Sequence, residues 1–443
     1  MKKRNLLLAV LLQAALLMNF ASCSDDDEEE YFDSEISNLK FLSIENAKNL
    51  YISTDNTAGR AASDTKKIFK ITEDGYTEEV KYLDEDNNEV SLGYNQPCAI
   101  QPVNDEYIFV GFGYGGNSIS SSYLVRKTDG TVFSLANAGN PDKISSSYKN
   151  EKLLKTDKNN NLYFLTYDYS SGSSIQKVVK VNLSGIDSLS ATTVSASTDY
   201  VYNFDVDWNG NVIYKGYLTS DSSNAVRRLR KANGGLANLS ENNALWIGLD
   251  GTIYYFNGSK YDSTTYTASY PIYKITVNSD GAINDTLYGN FEASAYFYQD
   301  WSYKLELQNE ILIIYASGND SKIYEVYNET GIPRVVSLDS LSMKSVTAVA
   351  STENFYYIAG TDKSNNTFLI KVDPTDDSYT NLLQQNDYDV YSFTASETDG
   401  IIFNALRMSD GKKVIGKVGN DGGDVTMIDE ESDVQITYLE RIN

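Results

Sequence analysis

A short, strongly apolar run recurs eight times along this chain and restricts what the chain can fold into. The eight runs begin at Leu50, Tyr107, Leu162, Val212, Ile253, Ile311, Phe355 and Ile401. Consecutive runs begin 41 to 58 residues apart, and a period of this size is typical of repeat architectures. The runs are rich in Tyr, Ile, Val and Phe, which favour β-strands, and Asn, Asp and Gly punctuate them as turn residues. The sequence therefore predicts a series of similar β-units.

Each run belongs to a unit of four short strands. A shorter strand precedes it, as at Asn203 to Asp207, and Asn-Gly or Asp-Gly turns join the two. A strand of alternating apolar and charged residues follows, as at Ile272 to Ile275, and then a more polar strand, as at Arg334 to Leu338. Four antiparallel strands per unit over residues 37–443 predict an all-β β-propeller. The unit resembles the generic blade of bacterial propellers. We expect eight four-stranded blades, and a seven-bladed ring with one irregular unit is the alternative.

One strand pattern, Val434 to Leu439, is left over after the eight units. Rings of this kind close when the two ends of the chain pair within one blade. We expect Leu39 to Ile44 and Val434 to Leu439 to supply that closure.

The N-terminal segment has the pattern of a secretory signal. Three basic residues precede the apolar stretch Leu6 to Leu17, which is too short to span a bilayer comfortably. The sequence Phe20-Ala21-Ser22-Cys23 then resembles a bacterial lipobox, although that motif usually has Leu where Phe20 stands. The resemblance implies that Cys23 carries a lipid; the alternative is an ordinary signal peptide with an incidental cysteine.

An acidic run, Asp25 to Glu30, follows Cys23 almost directly. Together with the lipobox it resembles the surface-export tag of Bacteroidota-type lipoproteins. The resemblance implies an outer-membrane protein that is held by a lipid anchor and faces the cell exterior. We expect a signal peptide over residues 1–22, an acidic flexible tether over 23–36 and the propeller over 37–443.

Composition excludes several classes of function. The chain has no His, which removes imidazole bases and His-ligated metal sites. The net charge is −24, and the nine Arg are scattered apart from Arg227, Arg228 and Arg230. Binding to a phosphate backbone needs a basic surface, so we expect no nucleic-acid partner.

No cofactor or metal motif is complete. Asp205, Asp207 and Asn209 before Gly210 match the first half of a calcium loop, but Gly216 stands where the bidentate acid belongs. The alternative interpretation is a hairpin turn with Asx hydrogen bonds. We predict neither a metal nor a cofactor. A pair of carboxylates could still hydrolyse glycosides without His, and a carboxylate-based, glycan-active enzyme is the alternative function.

Aromatic residues are concentrated between Tyr254 and Tyr303. Tyr and Trp offer flat apolar faces with a polar edge, which suit sugar rings or a protein partner. Strand aromatics can instead fill the space between blades. We therefore select the residues outside the predicted strands, Tyr261, Tyr266 and Trp301, as candidate ligand contacts. The expected function is a ligand-binding or protein-interaction module whose partner is a glycan or another envelope protein.

Overall fold

The computed structural model describes the greater part of the propeller region. The described residues are 40–41, 44, 47–55, 65–72, 75–83, 96–113, 118–119, 121–135, 144–145, 154–168, 175–239, 245–247, 253–256, 260–265, 267–277, 283–294, 302–307, 310–317, 320–327, 333–336, 338, 341–430 and 435–441. Cys23, Tyr266 and Trp301 lie outside them. Within these ranges no helix is both long and apolar enough to cross a membrane.

Antiparallel strands make up nearly all of the described secondary structure. Those of the first half are β1 (Lys40–Phe41), β2 (Asn49–Asp55), β3 (Thr65–Ile71), β4 (Thr77–Glu79), β5 (Tyr82–Leu83), β6 (Gln96–Pro102), β7 (Tyr107–Gly113), β8 (Ser118–Ile119), β9 (Ser121–Arg126), β10 (Val132–Ser134), β11 (Ile144–Ser145), β12 (Leu154–Thr156), β13 (Asn161–Asp168), β14 (Ile175–Asn182), β15 (Ala191–Thr193), β16 (Asp199–Val206), β17 (Val212–Leu218), β18 (Asp221–Arg230) and β19 (Leu236–Asn238). A 3-10 helix, Leu183–Ser188, connects β14 to β15.

The second half continues in the same way. Its strands are β20 (Leu245–Ile247), β21 (Ile253–Phe256), β22 (Lys260–Asp262), β23 (Thr267–Val277), β24 (Ile283–Ser294), β25 (Ser302–Leu307), β26 (Glu310–Ser317), β27 (Asp320–Tyr327), β28 (Pro333–Val336), β29 (Met343–Ser351), β30 (Tyr356–Asp362), β31 (Thr367–Val372), β32 (Tyr379–Asn381), β33 (Tyr388–Ser396), β34 (Gly400–Arg407), β35 (Lys412–Val418), β36 (Thr426–Asp429) and β37 (Gln435–Arg441).

These strands form successive antiparallel sheets, and each predicted apolar run is the second strand of its sheet. Sheets one to eight contain, in order, β2–β4 with β37, β6, β7, β9 and β10, then β12–β15, β16–β19, β20–β24, β25–β28, β29–β32 and β33–β36. The predicted all-β β-propeller is confirmed by this repeated strand order.

Eight uniform four-stranded blades are not supported. The third sheet also includes β8 and β11. The fifth sheet has five strands, because β22, which lies between β21 and β23 along the chain, pairs with the start of β23. The fold instead supports the alternative of a seven-bladed ring with one irregular unit.

The C-terminal strand closes the ring, as expected, but its partner differs from the prediction. β37 pairs with β2 from Asn49↔Arg441 to Thr54↔Gln435, and so becomes the first strand of the first sheet. The N-terminal residues predicted as its partner pair elsewhere, because β1 joins β5 through Lys40↔Leu83 and Phe41↔Tyr82. The apolar run in β2 needs a partner on each side, and β3 and β37 supply both.

The core lies between neighbouring sheets. Between the seventh and eighth sheets it contains Tyr357, Leu369, Val390 and Phe403, all buried. Second strands are apolar on both faces because both faces are covered, as in β34, where Ile401 to Ala405 is continuously buried. Buried aromatics such as Tyr357 show that many strand aromatics fill the space between sheets.

Candidate ligand-binding face

The first strand of each sheet lies on the inside of the ring. These inner strands contact one another in succession: β25 with β29, β29 with β33, β33 with β37, β37 with β6, β12 with β16 and β16 with β20. Buried Gln101 connects β6 to β12, since its amide donates to Leu154 O at 2.8 Å and accepts from Leu154 N at 3.1 Å. The inner strands therefore surround a common axis and form its wall.

Five inner strands carry a β-bulge; in β6 the extra residue is Cys98 and in β37 it is Thr437. In the other three strands, the register shifts between Val201 and Asn203 in β16, between Val346 and Ala348 in β29, and between Val390 and Ser392 in β33. The extra residues in these three strands are Tyr202, Thr347 and Tyr391. A bulged residue leaves the ladder and its side chain is re-aimed, a device common at functional sites.

The bulged residues of β16 and β33 are exposed while the residues before them are buried. Tyr202 is 36% exposed and Tyr391 44% exposed, whereas Val201 and Val390, directly before them, are buried. Thr347 is exposed as well. The bulge therefore presents two tyrosines at the wall of the ring without disturbing the core behind them.

Glycines in the second strands make room for the bulges of β16 and β29. A Cβ on Gly216 of β17 would overlap the carbonyl oxygen of Tyr200, and one on Gly360 of β30 would overlap that of Ser345. Since any side chain would collide with the inner strand, these positions accept only glycine. A glycine inside an apolar second-strand run is thus a sequence signal for the bulges of β16 and β29, whereas the bulge of β33 faces Ala405 and Asn404 and has no such signal.

One hydrogen bond and one pKa shift further describe the bulge at Tyr391. The hydroxyl of Thr347 donates to Val390 O at 2.8 Å, which connects the bulge of the seventh sheet to that of the eighth. Partial burial and the negative charge of Asp389 raise the pKa of Tyr391. A phenol is protonated at neutral pH, and this shift only extends that range upward, so the Tyr391 hydroxyl can donate a hydrogen bond.

Tyr261 lies at the same end of the ring as the starts of the inner strands. In a four-stranded meander, that end carries both the crossovers between sheets and the turns between second and third strands; we call it the crossover end. β22 follows the second strand β21 along the chain and pairs with the start of β23, so the hairpin of β22 and β23 projects at the crossover end. Tyr261 pairs with Ala268 and is 55% exposed, while Ala268 is buried.

The segment around Tyr261 is therefore structured, although the sequence suggested a loop. β22 and β23 form a hairpin, and Asp262 Oδ1 accepts the Thr264 N–H at 2.7 Å within its turn. Hydrogen bonding from that backbone N–H lowers the pKa of Asp262. No described contact joins Tyr261 to Tyr202 or Tyr391, and the other two candidates, Tyr266 and Trp301, fall outside the described ranges.

The half-calcium motif is an Asx turn. Asp207 Oδ1 accepts the N–H groups of Asn209 at 2.9 Å and Asn211 at 2.7 Å, and its Oδ2 accepts from the Asn211 side chain at 2.6 Å. Its lone pairs are directed at donors rather than at a cation site. Within the described ranges, no group of three or more acidic or Cys side chains could hold a metal.

Carboxylates near the inner strands of the third and fourth sheets are already paired. Fully buried Asp199 accepts from Arg228 Nη2 at 3.0 Å and from Tyr214 Oη at 2.9 Å. Asp205 forms an ion pair with Lys155 of the neighbouring inner strand at 3.4 Å. The Asp199 contacts lie within the fourth sheet, the Asp205 pair joins the third and fourth sheets, and neither carboxylate is left as an evident acid or base.

A small pocket lies between the eighth and first sheets, at the end of the ring opposite the crossover end. It is lined by Lys48, Asn49, Asp399 and Lys417, among others, and its volume is about 20 Å³. That is room for little more than one water molecule, so it does not compete with the crossover end as a ligand site.

The strand topology and this inner wall define the class of the protein as a β-propeller. No family model and no curated protein matches the sequence. Among solved structures, the chain is similar to the β-propeller domain of the Trilobed protease from Pyrococcus furiosus, with 9% identity and a TM-score of 0.45 over 77% of this chain and 99% of that one.

Two enzymes that contain additional chain are similar in the same way. A puromycin hydrolase matches at 8% identity with a TM-score of 0.46, over 82% of this chain and 57% of that chain. A prolyl endopeptidase matches at 13% identity with a TM-score of 0.45, over 92% and 59%. This chain thus spans less than two thirds of either enzyme, and no activity is transferred from them.

Proposed function

We propose that this protein is a lipid-anchored, surface-displayed β-propeller that binds a neutral glycan at its crossover end. The observation that carries the proposal is the pair of bulged, exposed tyrosines, Tyr202 and Tyr391, each on an inner strand of the ring. Tyrosine rings bind sugar faces at low entropic cost, because only two side-chain torsions become fixed. The net charge of −24 repels polyanions, which favours a neutral ligand.

We include Tyr261, Tyr266 and Trp301, the residues selected from the sequence, in the proposed site. Tyr261 supports this inclusion, because its hairpin projects at the same end of the ring as the bulged tyrosines. Replacing these three residues by Ala together is expected to weaken glycan binding. Unchanged affinity would remove them from the site and leave the bulged pair to be tested separately.

The central test replaces both bulged tyrosines by Ala and titrates neutral polysaccharides such as dextran and mannan. Affinity should fall in Tyr202→Ala/Tyr391→Ala, and binding by the unaltered protein should change little with salt, since stacking and hydroxyl hydrogen bonds dominate. The matched control is Tyr76→Ala, an exposed tyrosine in the turn between β3 and β4, at the opposite end of the ring. Equal affinity in the control and the double variant would overturn the proposal.

The same polysaccharides distinguish a binding module from the alternative, a carboxylate-based glycan-active enzyme. A carboxylate-based glycosidase would shorten the polysaccharide chains, and replacing a catalytic acid would stop the cleavage while binding remained. We expect no change in chain length after prolonged incubation. Progressive shortening would favour the enzyme over the binding module.

The anchor is tested on whole cells. Cys23→Ala should move the protein from the membrane to the soluble fraction. Neutral residues in place of Asp25 to Glu30 should leave it membrane-bound but shielded from added protease. If the unaltered protein is already fully shielded in intact cells, surface display is wrong.

A further inference from the structure

The outermost strand of the fifth sheet differs from every other outermost strand in length. In the other seven sheets this strand has three or four residues. In the fifth sheet it is β24, with 12 residues. Proteins usually keep outer strands short, because a long free edge offers unpaired N–H and C=O groups to another chain.

β24 is also held firmly in an extended conformation. It pairs with β23 over its whole length, from Thr267↔Ser294 to Val277↔Ile283, with one bulge where Ile272 and Tyr273 pair with Gly289 and Leu287. It also lies against β27 and β28 of the next sheet. Among the described residues, no strand pairs with its second edge. The edge is therefore preformed and does not need to be ordered by a partner.

The exposed surface of β24 fits a protein strand. Leu287 is 58% exposed, although an outer strand facing only water would favour a charged residue here. Added strands gain affinity from main-chain hydrogen bonds and specificity from alternate side chains. Leu287 would supply one apolar contact in such a pairing.

The negative charge of β24 and of the whole chain favours a basic partner strand. β24 contains Asp285 and Glu292 but no Lys or Arg, and the whole chain carries −24. Pairing with a second copy of β24 would bring two acidic strands together, which like-charge repulsion opposes. A basic extended segment would instead be attracted to this acidic strand.

We propose that β24 is a docking edge that adds one extended, lysine- or arginine-bearing strand of a partner protein to the fifth sheet. This surface is separate from the bulged tyrosines, so it does not depend on the proposed glycan site. Docking requires the open backbone edge of β24 and the exposed side chain of Leu287.

The test measures binding of an extended peptide of alternating Val and Lys to the full chain. Leu287→Lys should weaken binding at least about tenfold, because an edge lysine repels the basic strand and removes the apolar contact. The matched control is Leu236→Lys in β19, a 37% exposed leucine on a three-residue outer strand. It adds the same charge and should leave the affinity unchanged; circular dichroism and melting verify that both variants fold.

A second peptide separates edge pairing from simple attraction to an acidic surface. The same sequence with N-methylated backbone keeps its charge but cannot form the ladder, and it should fail to bind. Equal binding of both peptides, or equal loss in both leucine variants, would overturn the proposal. A dimer of the unaltered protein that Leu287→Lys dissociates would also overturn it, since the occupant would then be a second copy.

Discussion

Gly210 lies directly against the carboxylate of Asp157 in the neighbouring sheet, where an added Cβ would be 2.7 Å from Oδ2. Buried Tyr163 donates to the same oxygen at 2.9 Å. The turn that follows β16 is therefore packed onto the turn that precedes β13. The relationship between the two sheets depends on a residue without a side chain.

Gly210→Ala should destabilise the protein by about 2–4 kcal/mol, because positive φ and the collision with Asp157 both oppose it. Gly75→Ala is the matched control: its φ is +82°, close to the +83° of Gly210, but no atom lies within 4 Å of the new Cβ. It should cost only the backbone strain, about 1–2 kcal/mol. Chemical denaturation measures both, and equal losses would show that the contact between the turns is unimportant.

Gly216→Ala tests the bulge itself. The new Cβ would overlap Tyr200 O, so the inner strand must shift, at a cost of about 1–3 kcal/mol. Glycan affinity should fall as well, because Tyr202 would move with the strand. Gly235→Ala meets only the flexible Lys231 side chain and the Asn233 side chain, and it should change neither property. Retained affinity in a destabilised Gly216→Ala would separate the bulge from binding.

Asp199→Asn should be among the most destabilising single changes. It leaves the guanidinium of Arg228, now 2.7 Å from the carboxylate, with no counter-charge in a buried site, at a cost of about 3–5 kcal/mol. The control is Asp129→Asn, which breaks a more exposed pair with Arg126 and should cost no more than about 1 kcal/mol. Thermal unfolding compares them; similar melting temperatures would mean that the buried pair contributes little.

The sequence predicted the parts of the fold that depend on local pattern. The run at Leu162 is β13 and the run at Ile401 is β34, because a strand covered on both faces must be continuously apolar. The Asn209-Gly210 pair also predicted a tight turn. The structure confirms it, because Gly210 has the positive φ that such a turn needs. Periodicity and turn chemistry were sufficient for these elements.

Features that depend on distant residues were not predicted. From the sequence, Arg228 was only one of three arginines on a short segment; the structure pairs it with the buried carboxylate of Asp199. Tyr202 and Tyr391 lie within ordinary strand patterns, and only the register shift against β17 and β34 exposes them. Pairing partners set these positions, and one sequence alone does not reveal them.

Alkaline pH should destabilise this protein through partly buried Tyr200. Burial, with smaller contributions from Tyr167 and Tyr217, raises the pKa of Tyr200 from 10.0 to about 12. The unfolded chain therefore loses this proton first, so stability is intact below pH 10 and falls as the pH rises toward 12. Tyr200→Phe should make the fall shallower, as measured by denaturation at several pH values. Tyr76→Phe, at an exposed tyrosine, is the control, and identical curves for both variants would exclude Tyr200 as a contributor.

Removal of β37, the closing strand, should lower the free energy of unfolding by more than the loss of its few buried side chains would. β37 supplies the inner strand of the first sheet, contacts the inner strands β33 and β6, and buries Leu439. A chain that ends before Gln435 would expose the edge of β2 and open the ring between the eighth and first sheets. We expect a loss of several kcal/mol and a tendency to aggregate, because the unpaired edge offers a template for another chain.

The milder variant Leu439→Ala keeps the strand and removes only apolar contacts, so it should cost about 2–5 kcal/mol without aggregation. Light scattering and thermal unfolding distinguish the two changes. Adding a synthetic peptide of residues 435–441 should restore stability to the truncated chain, because the edge of β2 stays available. A truncated chain that melts like the full one would show that the ring is held closed by contacts other than β37.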